Sequence, residues 1–105
     1  MALPDDPARL EEVAVGFRGL AHPTRLQILE ALRSAGSEMS PTQIAERLAP
    51  DPGLANVAYH TRELASLGLL EPAGDRVARG ALEHFYELSP RGRELIKLAG
   101  RRSSV

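Results

Sequence analysis

Four polar side chains stand close together in the middle of the chain, at Asn56, Tyr59, His60 and Arg62. Amide, phenol, imidazole and guanidinium groups can all hydrogen-bond to base edges or phosphates. The spacing of three residues between positions 56, 59 and 62 places those side chains on one face of a helix. We therefore expect this segment to contact a groove of double-stranded DNA.

Two of these residues also have simpler interpretations. His60 could pack at the edge of its helix and donate one hydrogen bond to a carbonyl group. Arg62 could form an exposed ion pair with Glu63 or another neighbour, and such a pair contributes little energy. Both alternatives stay open at this point.

The clearest helix start in the chain is at Ser40. Ser40 and Gln43 have the spacing of a capping box, and Met39 and Ile44 occupy the two positions of a hydrophobic staple. Thr42 and Gln43 then lie at the positive end of a short third helix, where a phosphate can bind. The alternative for Gln43 is that the capping box uses its polar groups fully, and this alternative is favoured over phosphate contact.

The polar face belongs to a longer fourth helix, which we predict to begin at Asp51–Pro52 and to end at Gly68. Glycine suits the left-handed conformation that commonly ends a helix. The residues predicted to face inward are Leu54, Val57, Thr61 and Leu64. A short helix, a turn and a longer polar helix form the helix-turn-helix arrangement, here over residues 41–68.

Proline marks all five predicted helix starts, because its fixed backbone angle suits the first helical position. The residues that precede these prolines are Asp6, His22, Ser40, Asp51 and Ser89. We predict a first helix over residues 7–21, with Leu10, Val13, Ala14, Phe17, Leu20 and Ala21 as its apolar stripe. A second helix over residues 23–35 has its apolar face at Leu26, Ile28, Leu29 and Leu32. A last helix covers residues 90–100.

After Gly68 the apolar spacing changes from helical to alternating, which predicts a β-hairpin over residues 69–88. Pro72 limits the first strand to a sheet edge. Residues 73–81 form the predicted tip, where Arg76 and Arg79 are candidates for phosphate contact. The alternative is a solvated turn in which Asp75 cancels part of the charge. The predicted fold is a single mainly α domain of residues 1–105, a winged helix-turn-helix with the element order α-α-α-α-β-β-α.

The composition and charge of the chain restrict the class of protein it can be. The chain has 105 residues, no cysteine and a net charge of −1, but residues 52–105 carry eight bases and six acids. The many arginines fit phosphate contact or simply reflect genomic base composition. Neither a secretory signal nor an apolar run of membrane-spanning length is visible, so we expect a cytoplasmic protein.

Metal binding and catalysis find little support. The three histidines, His22, His60 and His84, lie far apart on different predicted elements, and there is no cysteine to complete a zinc site. The chain has no nucleophile elbow, no phosphate loop and no acid pair at a motif spacing. We expect a protein that is not an enzyme and has no cofactor or metal.

Three segments carry a resemblance to a known family. Residues 20–32 (LAHPTRLQILEAL) resemble the helix opening of ArsR-type winged-helix repressors. Residues 57–64 (VAYHTREL) with 68–71 (GLLE) are similar to that family's recognition helix and following strand. Residues 79–88 (RGALEHFYEL) resemble the wing strand of an actinobacterial branch. The match as a whole spans roughly residues 17–90, and the three segments stand in the family's order.

The resemblance implies a dimeric bacterial transcription regulator, with the first and last helices forming the dimer contact. It also implies that Asn56, Tyr59 and Arg62 lie in the major groove and that the start of the third helix contacts the DNA backbone. Metal-sensing members use cysteines near the third helix or ligands in the last helix, and this chain has neither. Ala58 and Thr61 also depart from the usual recognition-helix residues.

Three functions remain as hypotheses. The leading one is a sequence-specific repressor that binds a palindromic operator as a homodimer. The second is a protein-interaction module, because winged helices also serve as docking domains and a fold does not fix a function. The third is a small-molecule sensor with an apolar site at the dimer interface. The sequence identifies no effector.

Overall fold

The computed structural model describes residues 7–19, 22–48 and 50–103. Within these ranges five helices and one antiparallel hairpin follow the predicted order, which confirms the mainly α winged-helix fold. The elements are α1 (Pro7–Gly19), α2 (Pro23–Ala35), α3 (Pro41–Arg47), α4 (Leu54–Ser66), β1 (Leu70–Ala78), β2 (Ala81–Leu88) and α5 (Pro90–Ser103).

Four of the five helices begin at the predicted proline. The capping box at α3 is confirmed, since Ser40 Oγ accepts a hydrogen bond from the Gln43 backbone N–H and Gln43 Oε1 accepts one from the Ser40 N–H, both at 3.2 Å. His22 caps α2, because its Nδ1 accepts a hydrogen bond from the Thr24 N–H at 3.2 Å. Asp6, the expected cap of α1, lies outside the described residues.

The predicted start of α4 at Asp51–Pro52 is wrong by two residues. The Asp51 carboxylate accepts a hydrogen bond from the Gly53 N–H at 2.9 Å, so it closes a turn before the helix and does not cap the helix itself. Gly53 is the N-cap with φ of 88°, a left-handed value that glycine adopts without a steric penalty. The C-terminal prediction is confirmed, since Gly68 follows the helix with φ of 77°.

The core lies between α2, α3, α4 and the start of the hairpin. Its fully buried side chains include Ile28, Leu29, Ile44, Val57, Leu64, Leu69 and Leu70. Two predicted core residues are wrong: Leu26 is 38% exposed and Leu54 is 50% exposed. Leu54 is exposed because the late start of α4 places it in the first turn of the helix, away from the buried segment.

The first helix contributes Val15 to the core, a residue outside its predicted stripe. Val15 lines a groove with Leu95 and Leu98 of α5. Leu20 and Ala21 of the predicted stripe, and the side chains of Leu10, Val13 and Phe17, lie outside what the structure describes.

The hairpin has a longer ladder and a shorter tip than predicted. Strand β1 continues to Ala78, with a bulge between Pro72 and Asp75, so the turn is only Arg79–Gly80. Both turn residues have positive φ, the geometry that fits the twist of a two-residue hairpin. The edge position of Pro72 is confirmed, because Met39 bridges to the other side of β2 at Tyr86.

The hairpin of β1 and β2, residues 70–88, is called the wing below, and it meets α5 at a close backbone contact. Ser89 Oγ donates a hydrogen bond to the Gly68 carbonyl at 2.6 Å and accepts one from the Gly92 N–H at 3.0 Å. A Cβ atom at Gly92 would lie 2.0 Å from the Leu69 carbonyl oxygen, so only glycine fits there. This junction fixes the end of α4, the start of the wing and the start of α5 relative to one another.

Candidate nucleic-acid interface

The outward face of α4 carries three of the four predicted residues. Asn56, Tyr59 and Arg62 are exposed, Tyr59 by 50%. Asn56 donates a hydrogen bond to the Pro52 carbonyl at 2.9 Å, and Tyr59 donates one to Glu63 Oε1 at 3.3 Å. These weak local bonds face water and can be exchanged for a ligand at small cost.

Arg62 is the cation of this face. Among the described residues it forms no hydrogen bond or ion pair, so the predicted alternative of a pair with Glu63 does not occur there. Glu63 instead lies 4.0 Å from the Arg25 guanidinium. The Arg62 guanidinium is therefore available for a bidentate contact with guanine or phosphate.

His60 turns away from this face. Its side chain is among the buried polar groups at 8% exposure. Its Nδ1 accepts a hydrogen bond from Arg25 Nε at 3.0 Å, and its ring lies 4.4 Å from the His22 ring, centroid to centroid. The pKa of His60 is lowered, first by burial and then by the neighbouring His22 and Arg25, against an opposing effect of Glu63. His60 thus contacts α2 from the buried side of α4. Its hydrogen-bond partner is Arg25 and not the backbone carbonyl that was considered above.

The start of α3 offers less to a ligand than the sequence suggested. Gln43 uses its side-chain oxygen and its backbone N–H in the capping box with Ser40. Thr42 is half-buried beside it. The capping-box interpretation of Gln43 is confirmed.

The two wing arginines occupy different places. Arg79 lies in the turn and pairs with Glu46 of α3 at 2.9 Å. Arg76 lies within β1, pairs with Glu38 at 2.6 Å and places its guanidinium carbon 4.2 Å from the centroid of the Phe85 ring. The prediction placed both arginines in the hairpin tip, and it is wrong for Arg76. Strand β1 extends to Ala78, so Arg76 lies in the strand and Arg79 alone lies in the turn.

The partners of these groups are distant in the sequence and were not predicted. Glu38 and Glu46 lie 38 and 33 positions from the arginines they pair with, and Arg25 lies 35 positions from His60. No local pattern predicts contacts at such separations. The exposed apolar pair Val77 and Leu82, which face each other across the hairpin, also carried no signal in the sequence.

The described residues contain no cluster of three or more potential metal ligands. His84 and Asp75 contact each other on the wing at 2.7 Å without a third ligand nearby. Within the same residues, none of the helices is both long and apolar enough to cross a membrane.

Comparison with known proteins agrees with this architecture. The helix-turn-helix domain family matches residues 20–73, more than half of the chain, and the chain belongs to that family. The match includes α2, α3 and α4 and reaches the start of β1. No curated protein sequence matches the chain significantly.

Three solved structures are similar. A possible transcriptional regulatory protein (fragment 1–100) from Mycobacterium bovis is 26% identical, with a TM-score of 0.67, over 94% of this chain and 98% of that one. A protein with a GntR superfamily winged-helix-turn-helix domain from Halomicrobium mukohataei has 24% identity and a TM-score of 0.68, over 92% of this chain and 69% of that one. The type III plasmid segregation protein TubR has 19% identity and a TM-score of 0.65, covering 88% and 87%. The last two show the fold alone.

Proposed function

We propose that the chain is a sequence-specific, DNA-binding transcription regulator of the ArsR type, acting as a repressor on a palindromic operator. The observation that carries the proposal is the outward face of α4, where Asn56, Tyr59 and Arg62 are exposed together. The helix-turn-helix family and the similarity to a possible transcriptional regulatory protein support it. The repressor assignment follows the ArsR-type resemblance of residues 20–32, 57–71 and 79–88.

In this proposal α4 lies in the major groove and the wing contacts the adjacent backbone. Asn56 and Tyr59 offer hydrogen-bonding groups to base edges, and Arg62 contacts guanine or phosphate. Thr42, Arg76 and Arg79 supply backbone contacts, which fix the orientation of the protein and add salt dependence. Gln43 and His60 serve these contacts indirectly, by capping α3 and by supporting α4.

The proposed homodimer forms through α1 and α5. Leu98 is 55% exposed, and it lines a groove with Leu95 and Val15 between these helices. A second copy of the chain would cover this apolar surface and place two α4 helices in successive major grooves, about 34 Å apart. Light scattering on purified Leu98→Glu should report a monomer where the parent chain reports a dimer. A parent chain that is monomeric at micromolar concentration contradicts this arrangement.

A gel shift with fragmented genomic DNA tests the central proposal. We expect a subset of fragments to be retained at moderate salt, and sequencing of that subset should return an inverted repeat. The double variant Arg76→Glu, Arg79→Glu should bind all fragments more weakly. A chain that retains no DNA even at low salt contradicts the proposal.

One observation favours a second candidate, a protein-interaction module. Both wing arginines are paired with glutamates, and the net charge of the chain is −1, which weakens the attraction to DNA. A module of this kind would use the same exposed surfaces for a protein partner. The gel shift separates the two candidates, because only the regulator retains DNA.

A further inference from the structure

His60 lies on the same turn of α4 as Tyr59 but is held by a different helix. Arg25 of α2 donates from Nε to His60 Nδ1 at 3.0 Å and from its Nη1 to the Arg18 carbonyl at 3.1 Å. Its remaining nitrogen, Nη2, lies 4.0 Å from Glu63. Each of the three Arg25 guanidinium nitrogens therefore faces a group of α1 or α4. Arg25 joins α1, α2 and α4.

The direction of this hydrogen bond fixes the protonation state of His60. Arginine is always charged and has no acceptor, so Nδ1 of His60 must carry a lone pair and the imidazole must be neutral. A proton on Nδ1 would place an N–H group against the Arg25 N–H group. The hydrogen bond between α2 and α4 would then be lost, and two cations would repel each other at that contact.

Titratable and charged groups from three helices and one helix cap surround His60. The depression around it is lined by Arg18 of α1, the cap residue His22, Arg25 of α2, and Tyr59 and Glu63 of α4. Glu63 is the acid among them, and it is half-exposed and already hydrogen-bonded to Tyr59. Arg18 is paired with Glu11, so the cation that bears directly on His60 is Arg25. Protonation of His60 therefore places a second cation against the Arg25 guanidinium.

The effect on stability has a definite sign. Burial and the neighbouring His22 and Arg25 lower the pKa of His60 in the folded chain. The unfolded chain therefore binds the proton at a higher pH than the folded chain. The stability contributed by neutral His60 is complete above the ordinary histidine pKa of about 6.5 and is lost as the pH falls through the lower folded value.

We propose that Arg25 is a positioning residue that holds the recognition helix α4 through neutral His60, so that sequence-specific DNA binding weakens when His60 is protonated. The inference rests on the proposed function. Protonation also adds positive charge, which strengthens binding to any DNA. The quantity to measure is therefore the ratio of specific to non-specific affinity.

The test uses the full chain, a DNA fragment selected by the gel shift and a scrambled fragment of equal length, from pH 8 to pH 4.5. The affinity ratio of the parent chain should fall as His60 is protonated, by roughly three- to tenfold in total, since a misplaced contact costs about 1 kcal/mol. His60→Asn presents a non-titrating oxygen close to the position of Nδ1, so its ratio should stay level. Arg25→Lys keeps the charge without the Nε geometry and should lower the ratio already at pH 8.

The other histidines provide matched controls. His84→Asn removes the titrating group from the wing and should retain the pH dependence. His22→Asn keeps an acceptor for the Thr24 N–H but removes a neighbour that lowers the pKa of His60, so its pH dependence should move to higher pH. Melting temperatures measured over the same range should decrease as the pH is lowered. The decrease should be larger in the parent chain than in His60→Asn.

Two results overturn the inference. One is a parent chain whose affinity ratio is level with pH, and the other is a His60→Asn variant with the parent's pH dependence. A chain that binds no DNA at any pH fails the proposed function and the DNA-binding part of the inference together. The melting curves then still test whether neutral His60 stabilises the contact between α2 and α4. That claim is wrong if the melting temperatures of His60→Asn and the parent chain depend on pH in the same way.

Discussion

The outward face of α4 carries one cation, Arg62, among uncharged groups, whereas the wing carries Arg76 and Arg79, each paired with a glutamate. The α4 face is suited to hydrogen-bond discrimination between bases and has little charge with which to attract DNA. The wing has the charge, but its ion pairs must open before it meets a phosphate. We infer that specificity and affinity are divided between these two regions.

The two regions also differ in how they are held. The inner face of α4 packs into the core through Val57, Thr61 and Leu64, and Arg25 braces it from α2 through His60. The outer half of the wing is a two-stranded ribbon with exposed Val77 and Leu82 near its tip. A rigid helix can discriminate between sequences, while a ribbon held by surface ion pairs can adapt to the DNA backbone.

The largest effect should come from the junction that both regions share. Gly92→Ala would place a Cβ atom 2.0 Å from the Leu69 carbonyl oxygen, a backbone atom that cannot move aside as a flexible side chain can. We expect a loss of about 3 kcal/mol of unfolding free energy, at the upper end of overpacking costs. Chemical denaturation measures this loss. Gly16→Ala in α1 is the control and should cost little, because a Cβ atom there would lie 3.6 Å from Leu95 Cδ1, an ordinary van der Waals distance. Equal stability of Gly92→Ala and the parent contradicts the described contact.

The next largest effect should be on discrimination by α4. Asn56→Ala combined with Tyr59→Phe removes two groups that we assign to base contacts, without changing charge. The ratio of specific to non-specific affinity should fall roughly 10- to 100-fold, because a good base contact contributes about 1–3 kcal/mol. Competition binding measures the ratio. Ser66→Ala, also on an exposed part of α4, should leave it unchanged.

The wing should show the opposite pattern. Arg76→Gln with Arg79→Gln should weaken binding to specific and scrambled DNA alike and leave their ratio nearly constant. The slope of log affinity against log salt should decrease by about 1.8, since each phosphate contact contributes about 0.9. Titrations at several salt concentrations provide the slope. A change of ratio with a constant slope would reverse the assignment of the two regions.

A smaller effect is expected on the inner face of α4. Thr61 is fully buried, and its Oγ1 has no hydrogen-bond partner among the described residues. Thr61→Val replaces an unsatisfied hydroxyl by a methyl group of similar size and should raise the unfolding free energy by about 1 kcal/mol. Thermal or chemical denaturation tests this, and DNA affinity should change little. A destabilised variant would mean that the hydroxyl has a partner.

The smallest effect should come from the acids that hold the wing arginines. Glu38→Gln and Glu46→Gln each release an arginine, and DNA affinity should increase, by roughly fivefold at most because exposed ion pairs are weak. The increase should disappear in the background of Arg76→Gln with Arg79→Gln. A gain that persists there would come from net charge alone.

Local signals in the sequence predicted the elements well. Ser40 with Gln43, and Gly68 after α4, mark helix ends through contacts within a few residues, so the sequence contains the whole interaction. Asp51 misled the prediction because an aspartate before proline can close a turn as readily as it can cap a helix. The extent of β1 was underestimated because the glycine at position 74 forms a bulge within the strand and does not end it.

The candidate site was predictable only in part. The helical spacing of Asn56, Tyr59 and Arg62 identifies a common face without knowledge of the fold. The inward position of His60 depends on Arg25, and the pairing of the wing arginines depends on Glu38 and Glu46, all distant in the sequence. Tertiary packing decides these contacts, so residue type and local spacing do not reveal them.

The most direct test of the division between α4 and the wing is an amide NMR titration of the full chain with two duplexes. With scrambled DNA, we expect shifts at Arg76 and Arg79 and small changes on α4. With the selected fragment, we expect additional large shifts at Asn56, Tyr59 and Arg62. Identical shift patterns for the two duplexes, or shifts confined to α1 and α5, would contradict the division between the two regions.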